Sequence, residues 1–207
     1  MKIETIEIAG FAGALTALRL PFGKECRSTA NQVYGWYPMS LYDKETGDKK
    51  GDYKGFFTET YVVPDVRDLQ LMTTLVKRGD EHAKVVRGIN VWAKITAPVF
   101  FWTEAETYRA GHERLASEST MHIDCKGLSG KELQEAKAAI PMGKELTKVD
   151  MFSYQTLRRI VAQRHNHRLP EWHTFIDWIR TLPYAEELIF VGLNIDTDKP
   201  YESNRKD

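Results

Sequence analysis

Residues 89–100 read Ile-Asn-Val-Trp-Ala-Lys-Ile-Thr-Ala-Pro-Val-Phe, and the interpretation of the whole chain starts from this stretch. Apolar residues occupy every second position from Ile89 to Ile95, which predicts a half-buried strand. Pro98 cannot donate a hydrogen bond to a neighbouring strand, but it suits the start of a helix. The sequence therefore predicts that the strand ends at Pro98, that a helix runs from Val99 to about Arg109, and that Gly111 ends it.

The other elements follow from the same rules. Alternation over residues 2–8 predicts a strand, and the apolar residues 12–20 predict a short helix. Charges and glycines fill residues 43–55, which predicts an exposed loop or hairpin tip. Further helices are predicted where a cap or proline precedes an apolar face, at Asp65 (through Lys77), Ser129 (a capping box with Glu132), Ser153 and Pro170. The fold class is α+β, with helices dominating the second half.

Composition limits the class of protein. The 207 residues suffice for one domain with a full core, which we assign to residues 1–195, with a polar and flexible tail at 196–207. Lys+Arg and Asp+Glu each number 29, so there is no basic excess of the kind that nucleic-acid binders carry. Two distant cysteines make no disulfide framework. No signal peptide and no apolar run of ~20 residues is evident, so we expect a cytoplasmic protein.

Residues 103–122 carry more functional groups than a core or plain surface requires. On a helix, Glu104 and Tyr108 share a face, as do Glu106 and Arg109. The second pair fits a surface ion pair equally well. The run 117–120 (Ser-Glu-Ser-Thr) offers hydroxyls and backbone amides that suit a phosphate or a base edge, but it also fits a solvated loop.

A cationic run stands between two predicted helices. Arg164, His165, His167 and Arg168 fall within five positions, more than a helix dipole needs, and arginine forks match phosphate geometry. A metal site at His165, His167 and His173 is the alternative, but the spacing matches no zinc signature, so we predict no metal. A lone His82 follows the break at Gly79 and is either structural or functional.

Several segments, in chain order, resemble the flavin-dependent thymidylate synthases over most of the chain. That resemblance implies a central, mostly antiparallel sheet with flanking helices and a helical C-terminal half. The segments that carry it are strand 2–8 with Gly10-Phe11, helix 71–79 with His82, Thr96-Ala97-Pro98-Val99-Phe100, Ile140-Pro141-Met142, Thr147, Leu157 and Arg164.

The family signature is altered in this chain. The family has R-H-R-x-x-S-x-N-x-x-S-x-R after a Gln; here Glu104 takes the Gln position and Thr107-Tyr108-Arg109 replaces Arg-His-Arg. Ser119 matches the second Ser, and Met121 replaces the final Arg. Thr147 falls where a further Arg is expected, with Lys148 as a stand-in. The pattern is similar to that of a divergent group often found in phage genomes.

The resemblance implies FAD-dependent methylation of a uracil deoxynucleotide (dUMP to dTMP) with methylenetetrahydrofolate as co-substrate, in a homotetramer with inter-subunit sites. It also implies the host cytoplasm if the chain is phage-encoded. The implied catalytic residues are Arg164 and Ser119; the implied nucleotide ligands are Glu104, Tyr108, Arg109, Glu118 and Lys148; the flavin side holds His82, His167 and Arg168. Substitutes for the lost arginines are Arg114, Lys148, Arg158 and Arg168.

Two other functions stay open at the level of sequence. One is the same fold without flavin, binding or modifying another nucleotide or a nucleic-acid end, which the loss of Arg-His-Arg favours. The other is an interaction or structural protein without catalysis.

Overall fold

A computed structural model describes residues 1–42, 46 and 49–195, and for residues 29–42 and 50–63 it describes the backbone alone. The proposed tail at 196–207 lies outside these residues. The strands are β1 (Lys2–Ala9), β2 (Thr29–Tyr42), β3 (Lys49–Val63), β4 (Asn90–Pro98), β5 (His112–Ser117) and β6 (Glu145–Ser153). The helices are α1 (Phe11–Leu18), α2 (Val66–Lys77), α3 (Val99–Ala105), α4 (Thr120–Ile123), α5 (Gly130–Ala138), α6 (Tyr154–Arg164) and α7 (Pro170–Arg180), with short helical turns at Leu20–Phe22, Lys84–Arg87 and Glu186–Phe190.

The central sheet confirms the predicted α+β fold. Its strand order is β1-β4-β6-β5, and every neighbouring pair is antiparallel. The strands β2 and β3 form a separate two-stranded ribbon. No helix within the described part of the chain is long and apolar enough to cross a bilayer.

The strand β4 lies in the middle of the core, as its alternation predicts. Val91, Ala93, Ile95 and Ala97 have no exposed surface. Against the sheet pack aromatic side chains of the flanking helices, with the rings of Phe101 and Trp172 only 4.6 Å apart. Replacing a fully buried tryptophan by alanine typically costs about 3–5 kcal/mol, so these rings are a large part of the folding energy.

Helix caps agree with the sequence at two positions and differ at one. Asp65 accepts a hydrogen bond from the Arg67 amide, and the Ser153 hydroxyl accepts one from the Thr156 amide. Ser129 precedes α5, but its side chain accepts no capping bond. The predicted capping box is therefore wrong, because Gly130 takes a φ of +55°, which is not a helical backbone.

The helix after Pro98 is shorter than predicted, since α3 ends at Ala105 and not near Arg109. The Thr107 hydroxyl bonds the Glu104 carbonyl, and the chain then turns through Gly111 with a φ of +75°. Side-chain bonds of this kind compete with helical ones. The turn releases the chain into β5, a strand that the sequence did not predict.

Three other strands, β2, β3 and β6, were not predicted from the sequence. The strand β6 buries Lys148, Asp150 and Phe152 on one face, so charged residues interrupt the apolar alternation that would identify it. The strand β3 already begins at Lys49, within the segment predicted as loop or hairpin tip; residues 43–45, 47 and 48 of that segment lie outside the described residues.

Gly10 connects β1 to α1 and allows the chain to pass close to the backbone of Gly88. Its φ is +96°, and a Cβ there would lie 1.8 Å from the Gly88 carbonyl oxygen. Gly79 has a similar φ of +103° with nothing within 4 Å of a Cβ, which makes it a matched control.

We expect Gly10→Ala to lower the free energy of unfolding by roughly 3 kcal/mol or more, because left-handed strain and a backbone clash add. Gly79→Ala should lose only the strain, about 1–2 kcal/mol. Urea denaturation with comparison of the transition midpoints measures both. If both variants lose the same free energy of unfolding, the backbones of Gly10 and Gly88 do not lie as close together as described.

Candidate functional site

Helices α3 and α6 bring four of the predicted site residues together, and α7 adds a fifth side chain. We call Glu104, Tyr108, Arg164, His167 and Trp172 the Arg164 cluster. Arg164 donates from Nε to the Tyr108 hydroxyl at 2.8 Å and from Nη1 to Glu104 Oε2 at 2.9 Å. Its guanidinium carbon lies 4.9 Å from the centre of the Trp172 ring and 5.6 Å from that of Tyr108. The guanidinium is therefore held in one orientation from three sides.

The Glu104 carboxylate is the centre of this cluster. Its Oε2 also accepts from Trp172 Nε1 at 2.9 Å and lies 3.3 Å from His167 Nε2. Three donor groups surround this oxygen, which suits a carboxylate better than an amide. A carboxylate has only acceptor atoms, whereas an amide has one acceptor oxygen and an NH₂ group that would face other donors. A carboxylate at position 104 thus fits the donors of Arg164, Trp172 and His167 that surround it.

The His167 ring is partly buried and lies among charges of both signs. Burial lowers the pKa of His167; the Glu104 carboxylate opposes this shift, while Arg164, His173 and Arg168 add to it. The net pKa lies below the ordinary value of 6.5. The ring is therefore mostly neutral at neutral pH. Its Nδ1 accepts a hydrogen bond from the Leu169 amide, which leaves the proton on Nε2, facing Glu104.

Arg164 keeps binding capacity for a ligand. Its side chain is 20% exposed, and its Nη2 makes no hydrogen bond to a described residue. A preoriented guanidinium nitrogen beside two aromatic rings suits a planar ligand that carries a carbonyl or phosphate oxygen.

Lys148 lies in a second group of charges rather than in the Arg164 cluster. Its ammonium donates to Glu106 Oε1 at 3.0 Å and lies 4.5 Å from the centre of the Trp102 ring. Arg114 donates to the same carboxylate oxygen at 2.8 Å. Burial lowers the pKa of Lys148, although the hydrogen bond to Glu106 opposes this shift. Burial alone would raise the pKa of Glu106, but the hydrogen bonds from Lys148 and Arg114 outweigh it and bring this pKa below its ordinary value.

His112 and Asp150 form a buried pair that the sequence analysis missed. His112 Nε2 lies 2.8 Å from Asp150 Oδ2, and Nδ1 lies 3.0 Å from the Tyr108 carbonyl oxygen. Both ring nitrogens therefore face oxygen atoms. Asp150 has no exposed surface, and its Oδ1 lies 3.4 Å from Arg114 Nε without a hydrogen bond. The pair links β6 to the turn that presents Tyr108.

Arg109, His82, Glu118 and Ser119 make no hydrogen bond or ion pair with the Arg164 cluster within the described residues. Arg109 and His82 are exposed. Glu118 accepts a hydrogen bond from the Thr147 amide at 2.7 Å, and Ser119 stands before α4 without a side-chain capping bond. Arg168 contributes to the electrostatics of His167. No group of three metal-ligating side chains is assembled in the described part of the chain.

Trp172 is a site residue that the sequence analysis did not identify. It is fully buried, yet its indole nitrogen binds Glu104. The available signal was a tryptophan at the start of a helix that directly follows a cationic run.

Comparison with known proteins agrees with this architecture at the level of the fold. No protein-family model and no curated protein sequence matches the chain. Solved structures do match, and they define the class of fold as that of the flavin-dependent thymidylate synthases.

Thymidylate synthase X from Helicobacter pylori, solved with FAD and dUMP, matches at a TM-score of 0.60 and 11% identity over 94% of this chain and 100% of that one. A second structure of the same enzyme, complexed with FAD and dUMP, has a TM-score of 0.59, 11% identity and coverage of 93% and 99%. The UMP/dUMP methylase PolB from Streptomyces cacaoi, bound with 5-Br dUMP, has a TM-score of 0.56, 11% identity and coverage of 94% and 97%.

We expect the ring of His167 to titrate below 6.5 in a histidine NMR titration. Glu104→Gln should lower that pKa further, since the attraction that stabilises the imidazolium is lost. Glu113→Gln, at an exposed position on β5, is the control and should leave the pKa of His167 unchanged. Because the unfolded chain binds the proton more tightly, this group reduces the free energy of unfolding as the pH falls below 6.5, and the reduction levels off below the folded pKa. If the pKa of His167 does not change in Glu104→Gln, the described contact between Glu104 and His167 is contradicted.

We expect His112→Leu to lower the free energy of unfolding by about 3–5 kcal/mol, because it leaves the buried Asp150 without its partner. The double variant His112→Leu/Asp150→Leu should lose clearly less than the sum of the two single variants. Denaturant unfolding of the four proteins in this cycle measures the coupling. Additive losses would mean that the two side chains do not interact.

Proposed function

We propose that the chain is a thymidylate-synthase-like enzyme that methylates a uracil deoxynucleotide, dUMP to dTMP, with FAD and methylenetetrahydrofolate. The observation that carries the proposal is the Arg164 guanidinium, oriented by Glu104 and Tyr108 and backed by Trp172. Neighbours of the same fold bind dUMP, and such a guanidinium suits a pyrimidine carbonyl.

In this proposal the Arg164 guanidinium polarises the pyrimidine ring. It withdraws electron density from the ring, and this makes the ring carbons more susceptible to nucleophilic attack. Tyr108 and Glu104 keep the guanidinium in place. The nucleotide is held further by Arg109, Glu118, Ser119 and Lys148, with Ser119 close to the reacting base. Of these, Arg109 is exposed and available for a phosphate, whereas Lys148 binds one after leaving Glu106.

Assembly into a homotetramer accounts for the distance between these groups in a single chain. Arg109, Glu118, Ser119 and His82 make no bond to the Arg164 cluster within the described residues. In a tetramer with inter-subunit sites, residues of one protomer complete the cluster of another. We propose the cytoplasm as the location, that of the host if the gene belongs to a phage.

The residues present fit a flavin in their chemistry. Aromatic rings stand next to cations in the Arg164 cluster, and a partly buried, mostly neutral His167 lies beside Arg168. These groups and His82 would hold the cofactor. When bound, FAD supplies the hydride and methylenetetrahydrofolate the carbon. The chain's own side chains orient the nucleotide, shield it from water and offer Arg164 Nη2 for a hydrogen bond.

A second function, nucleotide binding or modification without flavin, is favoured by one specific observation. Tyr108 stands where the family signature has histidine, and its hydroxyl accepts a bond from Arg164 rather than offering a charge to a cofactor. In this alternative the same cluster binds the nucleotide alone.

Absorption spectroscopy and thermal shifts separate the two functions. For the first, we expect a flavin spectrum in the purified protein and a rise in Tm with both FAD and dUMP, because ligands that bind only the folded state stabilise it. Arg164→Lys should weaken dUMP binding about tenfold or more, since lysine cannot reproduce the forked contacts.

Arg180→Lys is the matched control, because Arg180 pairs with Glu186 away from the cluster. It should bind dUMP as the parent protein does. A colourless protein that ignores FAD but responds to a nucleotide supports the alternative. A protein whose Tm no nucleotide changes overturns both.

A further inference from the structure

Residues 108–112 form a turn, here called the Tyr108 turn, that is bonded to the central sheet at several points. The Ala110 carbonyl accepts a hydrogen bond from the Thr156 hydroxyl at 2.6 Å, and the Gly111 carbonyl accepts one from the Ser153 amide at 2.7 Å. Both donors lie where β6 passes into α6. These two bonds fix the C-terminal part of the turn, but they do not reach Tyr108 itself.

The side chain of His112 fixes the N-terminal part of the turn. Its Nδ1 lies 3.0 Å from the Tyr108 carbonyl oxygen, and its Nε2 lies 2.8 Å from Asp150 Oδ2 on β6. The imidazole also stacks on the Phe152 ring, with the ring centres 4.4 Å apart and an angle of 14° between the planes. Only 6% of the side chain is exposed, so the ring is confined between the sheet and the backbone of Tyr108.

Stability alone does not account for the buried carboxylate of Asp150. The residue has no exposed surface; His112 is the partner of its Oδ2, and its Oδ1 has no hydrogen bond to a described residue. An apolar pair of similar volume often stabilises a fold as well as a buried charged pair does, or better. A carboxylate beside an imidazole does something that an apolar side chain cannot do, because it holds the ring in one orientation.

Tyr108 passes this position on to Arg164. The Tyr108 hydroxyl accepts from Arg164 Nε, and Glu104 accepts from Nη1. These two contacts set the plane of the guanidinium and therefore the direction of Nη2, which makes no hydrogen bond to a described residue. A displacement of about 1 Å in a positioning group can reduce function roughly a hundredfold. A shift of the Tyr108 turn would therefore direct Nη2 away from its ligand.

We propose that His112 and Asp150 are positioning residues for the nucleotide site and act on Arg164 through Tyr108. Neither side chain bonds to Arg164 within the described residues, so their effect on a ligand is indirect. The path runs from Asp150 Oδ2 through the His112 ring to the backbone of Tyr108, and from the Tyr108 hydroxyl to Arg164 Nε. The inference rests on the proposed function, because it takes dUMP as the ligand of Arg164.

Calorimetric titration of the full chain with dUMP tests this role. His112→Leu and Asp150→Leu should each weaken dUMP binding about tenfold or more. The double variant His112→Leu/Asp150→Leu separates positioning from stability. Its apolar pair should recover part of the stability, but it cannot hold the Tyr108 carbonyl, so dUMP binding should stay weak. Met72→Ala, in the buried core of α2, is the control and should lower Tm without changing the affinity for dUMP.

The NMR signal of the Arg164 Nε–H group tests the positioning without any nucleotide. The signal is identified by its absence from Arg164→Lys. Its hydrogen bond to Tyr108 slows exchange with water, so the leucine variants should exchange about tenfold faster or more, whereas Met72→Ala should exchange as the parent does. Circular dichroism verifies the fold, and His112→Asn, whose side chain is too short to bridge to Asp150, replaces any variant that does not fold.

The proposal is overturned if the affinity for dUMP recovers together with stability in the double variant. It is equally overturned if the Arg164 Nε–H group exchanges at the same rate in the parent and in the variants of His112 and Asp150. If the parent protein binds no dUMP, the function proposed for the Arg164 cluster fails. The exchange of Nε–H then decides by itself whether His112 and Asp150 position Arg164.

Discussion

The antiparallel pairing of β4 with β6 is the constraint on which the rest of the structure depends. Asn90 pairs with Ser153 and Pro98 with Glu145, so the two strands run along their full length in opposite directions. Consequently α3 leaves one end of this pair and α6 leaves the other. The helix α6 then runs back over the sheet until Arg164, at its last turn, reaches Glu104 at the end of α3.

Burial of charge is concentrated around this strand pair. Lys148 and Asp150 lie on the buried face of β6, where isolated charges would be costly. They are balanced by Glu106, Arg114 and His112, all from the turn and strand that follow α3. The polar network thus holds the altered signature segment against the sheet, and this fixes the direction in which Tyr108 points.

The altered signature is internally consistent. A carboxylate at 104, a phenol at 108 and an indole at 172 contact the same guanidinium, and the indole also donates to that carboxylate. Glu104, Tyr108 and Trp172 therefore act together to orient Arg164.

The sequence by itself determined the α+β class, the strand at 89–98, most helix starts, and the concentration of functional groups around Glu104 and Tyr108 and from Arg164 to Arg168. These follow from local periodicity, caps and a concentration of functional groups, all of which are visible in short windows. Only the tertiary structure decided β5 and β6, the pairing of His112 with Asp150, and the position of Lys148 beside Glu106. The physical reason is that a buried charge disrupts the local pattern while its partner lies tens of residues away, so neither can be recognised until the sheet brings them together.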